Sequence, residues 1–280
     1  MNRLILKNVI AAITLSSLSI TFTSNATPVI TEWDFIVDSA YTASSFTDGS
    51  GTPNLTGTNA LFGAPTNLAW GDQAQQSSID ISSGNLGNVT GVNLALGTSM
   101  ETALFVHDNI SIPLGSSGLE TAILSTLLQI TPASAGFSMP DLSGILAFDI
   151  SFNETSNIAG LCGGVLCAND IFILSLPEAV SFNDGEGTIN QQFSIFEHTY
   201  NTELKLVGTE TGTGLSILND IICARVPGVE SGCIGLTTFE EQSNEFRVLM
   251  TITHIPEPST LLLLSLVLFG TAVSVRSKRS

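Results

Sequence analysis

The sequence predicts an all-β fold, an antiparallel two-sheet sandwich of jelly-roll-like kind. Three observations predict it. Short apolar or alternating runs recur along the chain, clusters of Gly, Asn, Asp, Ser, Thr and Pro separate them, and amphipathic helical periodicity is scarce. Many short strands with frequent turns bury one face each most simply as two packed sheets.

In chain order, the strand-like runs are 29–37, 79–81, 92–96 and 103–106, each apolar or alternating and each bounded by turn residues. The run 119–130 fits both helical and sheet periods. Thr131-Pro132 stops either, and we read a strand. In 145–152 the apolar Ile145, Ala147, Phe148, Ile150 and Phe152 nearly alternate with polar residues, and 246–252 does the same. That period puts one face in a core and the other in water. The runs 171–176, 189–196 and 204–207 complete the set. Fifteen phenylalanines are available to fill the space between sheets. Segment 44–66, rich in Gly, Thr, Asn, Ser and Pro, reads as a long loop. Trp70, in Leu68-Ala-Trp-Gly71, reads as a core residue before a turn. No internal repeat or linker divides 27–255, which is expected to be one domain.

The two ends have a different character. Arg3 and Lys7 precede an apolar run from Val9 to Phe22, broken only by small hydroxyls, and Ser24-Asn25-Ala26 follows. This is the order of a signal peptide, residues 1–26, with Thr27 as the first mature residue. At the other end, Pro256-Glu257-Pro258 precedes an uncharged stretch to Val275, and Arg276, Lys278 and Arg279 close the chain. The 17 residues between Pro258 and Arg276 span about 25 Å as a helix, enough to cross a bilayer. The terminal cations stay in the cytoplasm, which places everything before Pro256 outside. A glycolipid-anchor signal fits poorly, because its tail ends apolar. A plain membrane anchor remains the alternative.

Charge narrows the function classes. Within 27–255 only Lys205, Arg225 and Arg247 stand against 24 acids, a net charge of −21. Such a surface repels nucleic acid and anionic lipid and attracts cations, so nucleic acid is excluded as a partner. The four cysteines form two close pairs, Cys162 with Cys167 and Cys223 with Cys233. Outside the cytoplasm such thiols oxidise, and local pairing is favoured among the three connectivities. Zinc would want Cys-x-x-Cys spacing or histidine partners, and neither occurs.

Candidate chemistry is sparse. His107, Asp108 and Asn109 form a polar centre between apolar flanks. They could make a ligand or metal cluster, but the preferred reading is a hairpin turn. His198 lies at the end of a strand and His254 beside the Pro-Glu-Pro segment. With 24 carboxylates, abundance hides any acid–base pair. No Gly-x-Ser-x-Gly elbow occurs, and bridged cysteines offer no thiolate. Asn183-Asp184-Gly185-Glu186-Gly187 offers hard oxygens for calcium but lacks the Asp-x-Asp-x-Asp ladder, so it reads as a β-turn. Sugar binding uses exposed aromatic faces, for which Trp33, Trp70, Tyr41 and Tyr200 are the candidates. No catalytic residue, metal set or cofactor is assigned.

Pro256-Glu257-Pro258, the apolar stretch to Val275 and the Arg276, Lys278 and Arg279 tail together resemble the PEP-CTERM sorting signal of Gram-negative bacteria that secrete exopolysaccharide. The resemblance implies that exosortase, a membrane enzyme, recognises and cleaves the chain near the tripeptide. The precursor would then sit transiently in the inner membrane. The outer domain is similar to the THxN family of such proteins. The stretches that carry the likeness are Val106-His107-Asp108-Asn109, with Val106 where the motif has threonine, Leu68-Ala-Trp-Gly71, Glu154-Thr-Ser-Asn157, Cys162 through Asn169-Asp170 to Leu174, and Gly232-Cys233 with Thr237-Thr-Phe-Glu240. That family brings no known activity. The expectation is therefore a non-enzymatic cell-surface or extracellular-matrix protein associated with exopolysaccharide. The alternative is a carbohydrate- or calcium-binding surface module. A hydrolase would need a pocket that gathers His107 or His198 with carboxylates.

Overall fold

A computed structural model of the chain describes residues 27–72, 74–82, 88–133, 142–155, 160–162, 165–208 and 214–256. In chain order its strands are β1 (Glu32–Phe46), β2 (Asn54–Thr58), β3 (Pro65–Gly71), β4 (Gln76–Ser82), β5 (Asn88–Ala95) and β6 (Ser99–Asn109). Then come β7 (Leu119–Pro132), β8 (Leu142–Asn153), β9 (Leu161–Cys162), β10 (Val165–Leu166), β11 (Asp170–Ser175) and β12 (Ser181–Asn183). The series ends with β13 (Thr188–Ile195), β14 (His198–Gly208), β15 (Ser216–Ile217), a short helix α1 (Asp220–Cys223), β16 (Ile234–Thr238) and β17 (Gln242–Ile255).

These strands form two antiparallel sheets. One has the order β15-β16-β11-β8-β7-β1-β5, the other β12-β13-β14-β17-β6-β4-β3-β2, and β9 with β10 makes a separate ribbon. Seven and eight strands exceed the eight in all of a jelly roll, so the expectation holds at the level of the two-sheet sandwich.

Alternation decides which side chains meet between the sheets. On β8, Leu146, Phe148, Ile150 and Phe152 are buried while Ile145, Ala147 and Asp149 turn outward, Ile145 being 61% exposed. The facing sheet supplies Trp70, Ile79, Ile81, Phe105 and Phe246 to the same core. Phe105 of β6 meets Phe172 of β11 edge-on, with ring centroids 5.7 Å apart, which joins the sheets through the favoured T-shaped geometry. A second part of the core packs Trp33, Phe35 and Val37 against Tyr200, Met250 and Ile252.

Strand β11 has two covered faces, which explains its unbroken apolar run. Phe172 points between the sheets, whereas Ile171 and Ile173 pack under Leu218, Ile222, Cys223 and Val226. Asn219 caps α1 by accepting from the Ile221 N–H, and the Cys223–Cys233 disulfide ties the helix to the entry of β16.

Segment 44–66 is not the long loop expected. β1 continues to Phe46, β2 occupies 54–58, and β3 begins at Pro65. All five residues of β2 are exposed, so its ladder to β3 holds it as an edge strand without any hydrophobic pattern to reveal it. The expected signal peptide, residues 1–26, lies outside the described residues. So do Glu257, Pro258, the apolar stretch to Val275, and Arg276, Lys278 and Arg279. Among the described residues no helix is long and apolar enough to cross a membrane.

Candidate functional site

His107, Asp108 and Asn109 are not a turn. They lie in β6, between β4 and β17, where His107 pairs with Ile79 on one side and Asn244 on the other. Successive side chains on a strand point to opposite faces, so three consecutive residues cannot converge on one ligand. His107 and Asn109 point inward and are fully buried, while Asp108 is exposed.

The inward pair sits at one end of the space between the sheets. The His107 ring stacks on Trp70, centroids 5.8 Å apart, and meets the edges or faces of Phe152 and Phe172 at 5.7 and 4.9 Å. Its Nδ1 lies 2.8 Å from Thr238 Oγ1. Burial pulls its pKa down to about 3, so the imidazole is neutral at ordinary pH. Enclosed by three aromatic rings, it offers no accessible base.

Above this aromatic floor the fold collects acids from three places. Glu154 follows the last residue of β8, in step with inward-facing Ile150 and Phe152. Asp170 opens β11 opposite Thr238 of β16, in step with inward-facing Phe172. Glu240 lies in the tight connection from β16 to β17. That connection is shaped by Asn244, whose Oδ1 accepts from the Phe239 N–H and whose Nδ2 donates to the Phe239 carbonyl, both at 2.9 Å. One carboxylate oxygen from each of Glu154, Asp170 and Glu240 lies within 4.8 Å of the others.

Two donors orient the cluster. The Trp70 indole N–H donates to Glu154 at 2.7 Å, and the Thr155 N–H donates to Asp170 at 2.8 Å. Several polar atoms here have no hydrogen-bond partner: Glu154 Oε1, Asp170 Oδ2 and Asn109 Oδ1. Electrostatics reflects the crowding. Burial first, and then the Glu154 charge, push Asp170 well above the usual carboxylate range, against the opposing Thr155 donors. Glu154 is raised by burial and by Glu240, with the Trp70 donor pulling back. Glu240 is pushed up to about 7 by burial and by Glu241, and the nearby Asn109 amide lowers it. Among the described residues, the charges that bear on Glu154 and Asp170 are other carboxylates, with no cation among them. An open cleft lined by Ser111, Ile112, Glu120, Phe152 and Thr155 reaches Glu154 from solvent.

The other candidates fall elsewhere. His198 Nε2 lies 2.6 Å from the Thr27 carbonyl oxygen, and its ring neighbours are Tyr200 and His254, so His198 does not share a site with His107. Asn183 to Gly187 is a turn, as expected. The Gly187 N–H donates to the Asn183 carbonyl, the Asn183 amide donates to Glu186, and Asp184 accepts from the Ile217 N–H. Trp33, Trp70, Tyr41 and Tyr200 are all at most 1% exposed, which removes them as faces for a sugar ring. An apolar cavity between the sheets, lined by Val37, Phe105, Leu124, Phe148 and Leu204 among others, has no charged group to orient a ligand. Cys223–Cys233 pairs locally as expected. Cys167 is disulfide-bonded too, but the side chain of Cys162 lies outside the described residues.

Sequence reasoning did not pick out Glu154, Asp170 and Glu240 as a set. A signal was present. The stretches Leu68–Gly71, His107–Asn109, Glu154-Thr155, Asn169-Asp170 and Thr237–Glu240 are scattered over the chain, and Trp70, His107, Asn109, Glu154, Asp170, Thr238 and Glu240 of those stretches meet here.

At the chain's far end, β17 runs to Ile255 and Pro256 is exposed. Residues 254–279 match the PEP-CTERM protein-sorting motif. The chain therefore carries a sorting signal at its C-terminus, and that signal implies export and processing by exosortase. A search of curated proteins returns no match.

Proposed function

We propose that this chain is an exported, non-enzymatic cell-surface or extracellular-matrix protein associated with exopolysaccharide. Its residues 1–26 direct export, 27–255 form the outer domain, and exosortase cuts near Pro256-Glu257-Pro258 while the apolar segment holds the precursor in the inner membrane. The observation that carries this reading is the sorting-motif match over 254–279. Two features support it. The last sheet strand stops at Ile255, and the exposed Pro256, which lacks an N–H and cannot extend the ladder, starts the signal where a protease can reach it. The charge of −21 over 27–255 suits a hydrated matrix.

Fractionation and immunoblotting of cells with and without exosortase test the proposal. A shortened form outside the inner membrane, seen only with the enzyme, is expected. Full-length protein in the inner membrane of both strains would leave a plain anchor.

A further inference from the structure

We propose that Glu154, Asp170 and Glu240, together with the Asn109 amide, form a calcium site that fastens the two sheets to each other. Such a site would bind its ion wherever the chain is sorted.

Geometry comes first. Calcium binds oxygen at about 2.3–2.6 Å, so two oxygens on one ion stand at most about 5 Å apart. The three carboxylate oxygens lie within 4.8 Å of one another, inside that limit. A pair of carboxyls sharing a proton would instead close to about 2.5–3.0 Å. Glu154 Oε1 and Asp170 Oδ2 make no such bond, although both are buried.

The second observation is Asn109. Its side chain is fully buried, its Nδ2 faces Glu240 as a donor that lowers that group's pKa, and its Oδ1 has no hydrogen-bond partner. An amide oxygen buried without a partner is costly, so a native fold normally supplies something for it to bind.

Donor chemistry selects the ion. Every candidate ligand is a hard oxygen from a carboxylate or an amide. No cysteine takes part, and the nearby imidazole of His107, whose Nδ1 faces Thr238, is not one of the grouped ligands. Zinc and copper prefer nitrogen and sulfur. Magnesium holds its water shell and demands octahedral geometry, whereas calcium accepts an irregular set of protein oxygens. The outer layer is built in: Trp70 holds Glu154, the Thr155 N–H holds Asp170, and Asn244 shapes the turn that presents Glu240. The cleft at Glu154 supplies an entry path.

The ligands come from both layers. Glu154 directly follows β8 and Asp170 opens β11, both of the seven-stranded sheet, Asn109 belongs to the eight-stranded one, and Glu240 to the connection between them. Bound calcium is therefore a cross-sheet clamp.

The test uses the full-length chain in detergent, stripped with a chelator and titrated with calcium chloride or terbium(III) chloride. Calcium at 100-fold over its dissociation constant should raise the melting temperature by about 5–10 °C. Terbium should show saturable emission when tryptophan is excited, because Trp70 touches the ligand Glu154. Asp170→Asn and Glu154→Gln should each abolish both responses, and the Asp184→Asn control should keep them. Without calcium, Asp170→Asn should melt no lower than the stripped parent, since it removes a crowded charge. If Asp170→Asn does not fold, Glu154→Gln and the terbium emission of the parent still decide. The proposal is overturned if calcium moves nothing, if the responses survive both substitutions, or if magnesium serves equally well.

Discussion

The Trp70 indole nitrogen donates to the Glu154 carboxylate at 2.7 Å although 84 residues separate them in the chain. Trp70 belongs to β3 of the eight-stranded sheet, and Glu154 follows β8 of the seven-stranded one. This hydrogen bond thus crosses the sandwich at the acidic cluster, as the His107–Thr238 bond does beside it. Trp70→Phe keeps most of the ring and removes the donor. A hydrogen bond to a charged group is worth about 1.5–3 kcal/mol, so urea unfolding of the stripped variant should show a loss in that range. An unchanged midpoint would mean that the contact contributes nothing.

The crowded carboxylates make stability depend on pH in a defined sense. Burial raises Asp170 and Glu154, and it raises Glu240 to about 7. Acids raised in the folded state stabilise it when protonated. That contribution is complete below the ordinary carboxylate range and is lost as pH climbs through about 7 and beyond. Chelated protein should therefore melt lower at pH 8 than at pH 5, and Asp170→Asn should flatten the slope. Melting curves across that range in chelator check both.

His107 works in the opposite direction. Its pKa falls from 6.5 to about 3 on burial, so the unfolded chain takes up a proton that the folded one refuses. The stability this contributes is present above about 6.5 and lost as pH falls toward 3. His107→Gln retains a group able to bond Thr238 and has nothing to titrate. Its unfolding free energy should decline less than the parent's between pH 6.5 and 4, measured by denaturant titration.

The Cys223–Cys233 bridge closes a short loop, with ten residues of sequence separation, and holds α1 over the outer face of β11. Chain-entropy reasoning gives about 2–3 kcal/mol for a loop of this size. Replacing both cysteines with alanine should lower stability by that amount. It should also speed amide exchange at Ile171 and Ile173 more than at Phe246, in the central part of the sandwich. Hydrogen-exchange mass spectrometry distinguishes the local effect from a global one.

Much of the fold was legible because one-sided burial writes a period of two into a strand. Phe148, Ile150 and Phe152 announced β8, and Phe246, Met250 and Ile252 announced β17. β2 left no such mark, since it is exposed on both faces and held mainly by its backbone ladder to β3. The polar centre at His107 misled for a related reason. Polar residues in a short run usually mean a turn, but His107 and Asn109 are polar residues in the core, where tertiary neighbours override the local signal.

The sequence by itself determined the strand-rich class, the acidic charge, the nearness of Cys223 to Cys233 and the C-terminal sorting signal, because each depends on composition or on residues close together in the chain. Only the tertiary structure decided that Trp70, Asn109, Glu154, Asp170 and Glu240 share one site. Their separations in sequence carry no distance information. The pairing of strands and the closing of one sheet on the other bring them within bonding reach, and that depends on the energy of the whole core rather than on any segment of it.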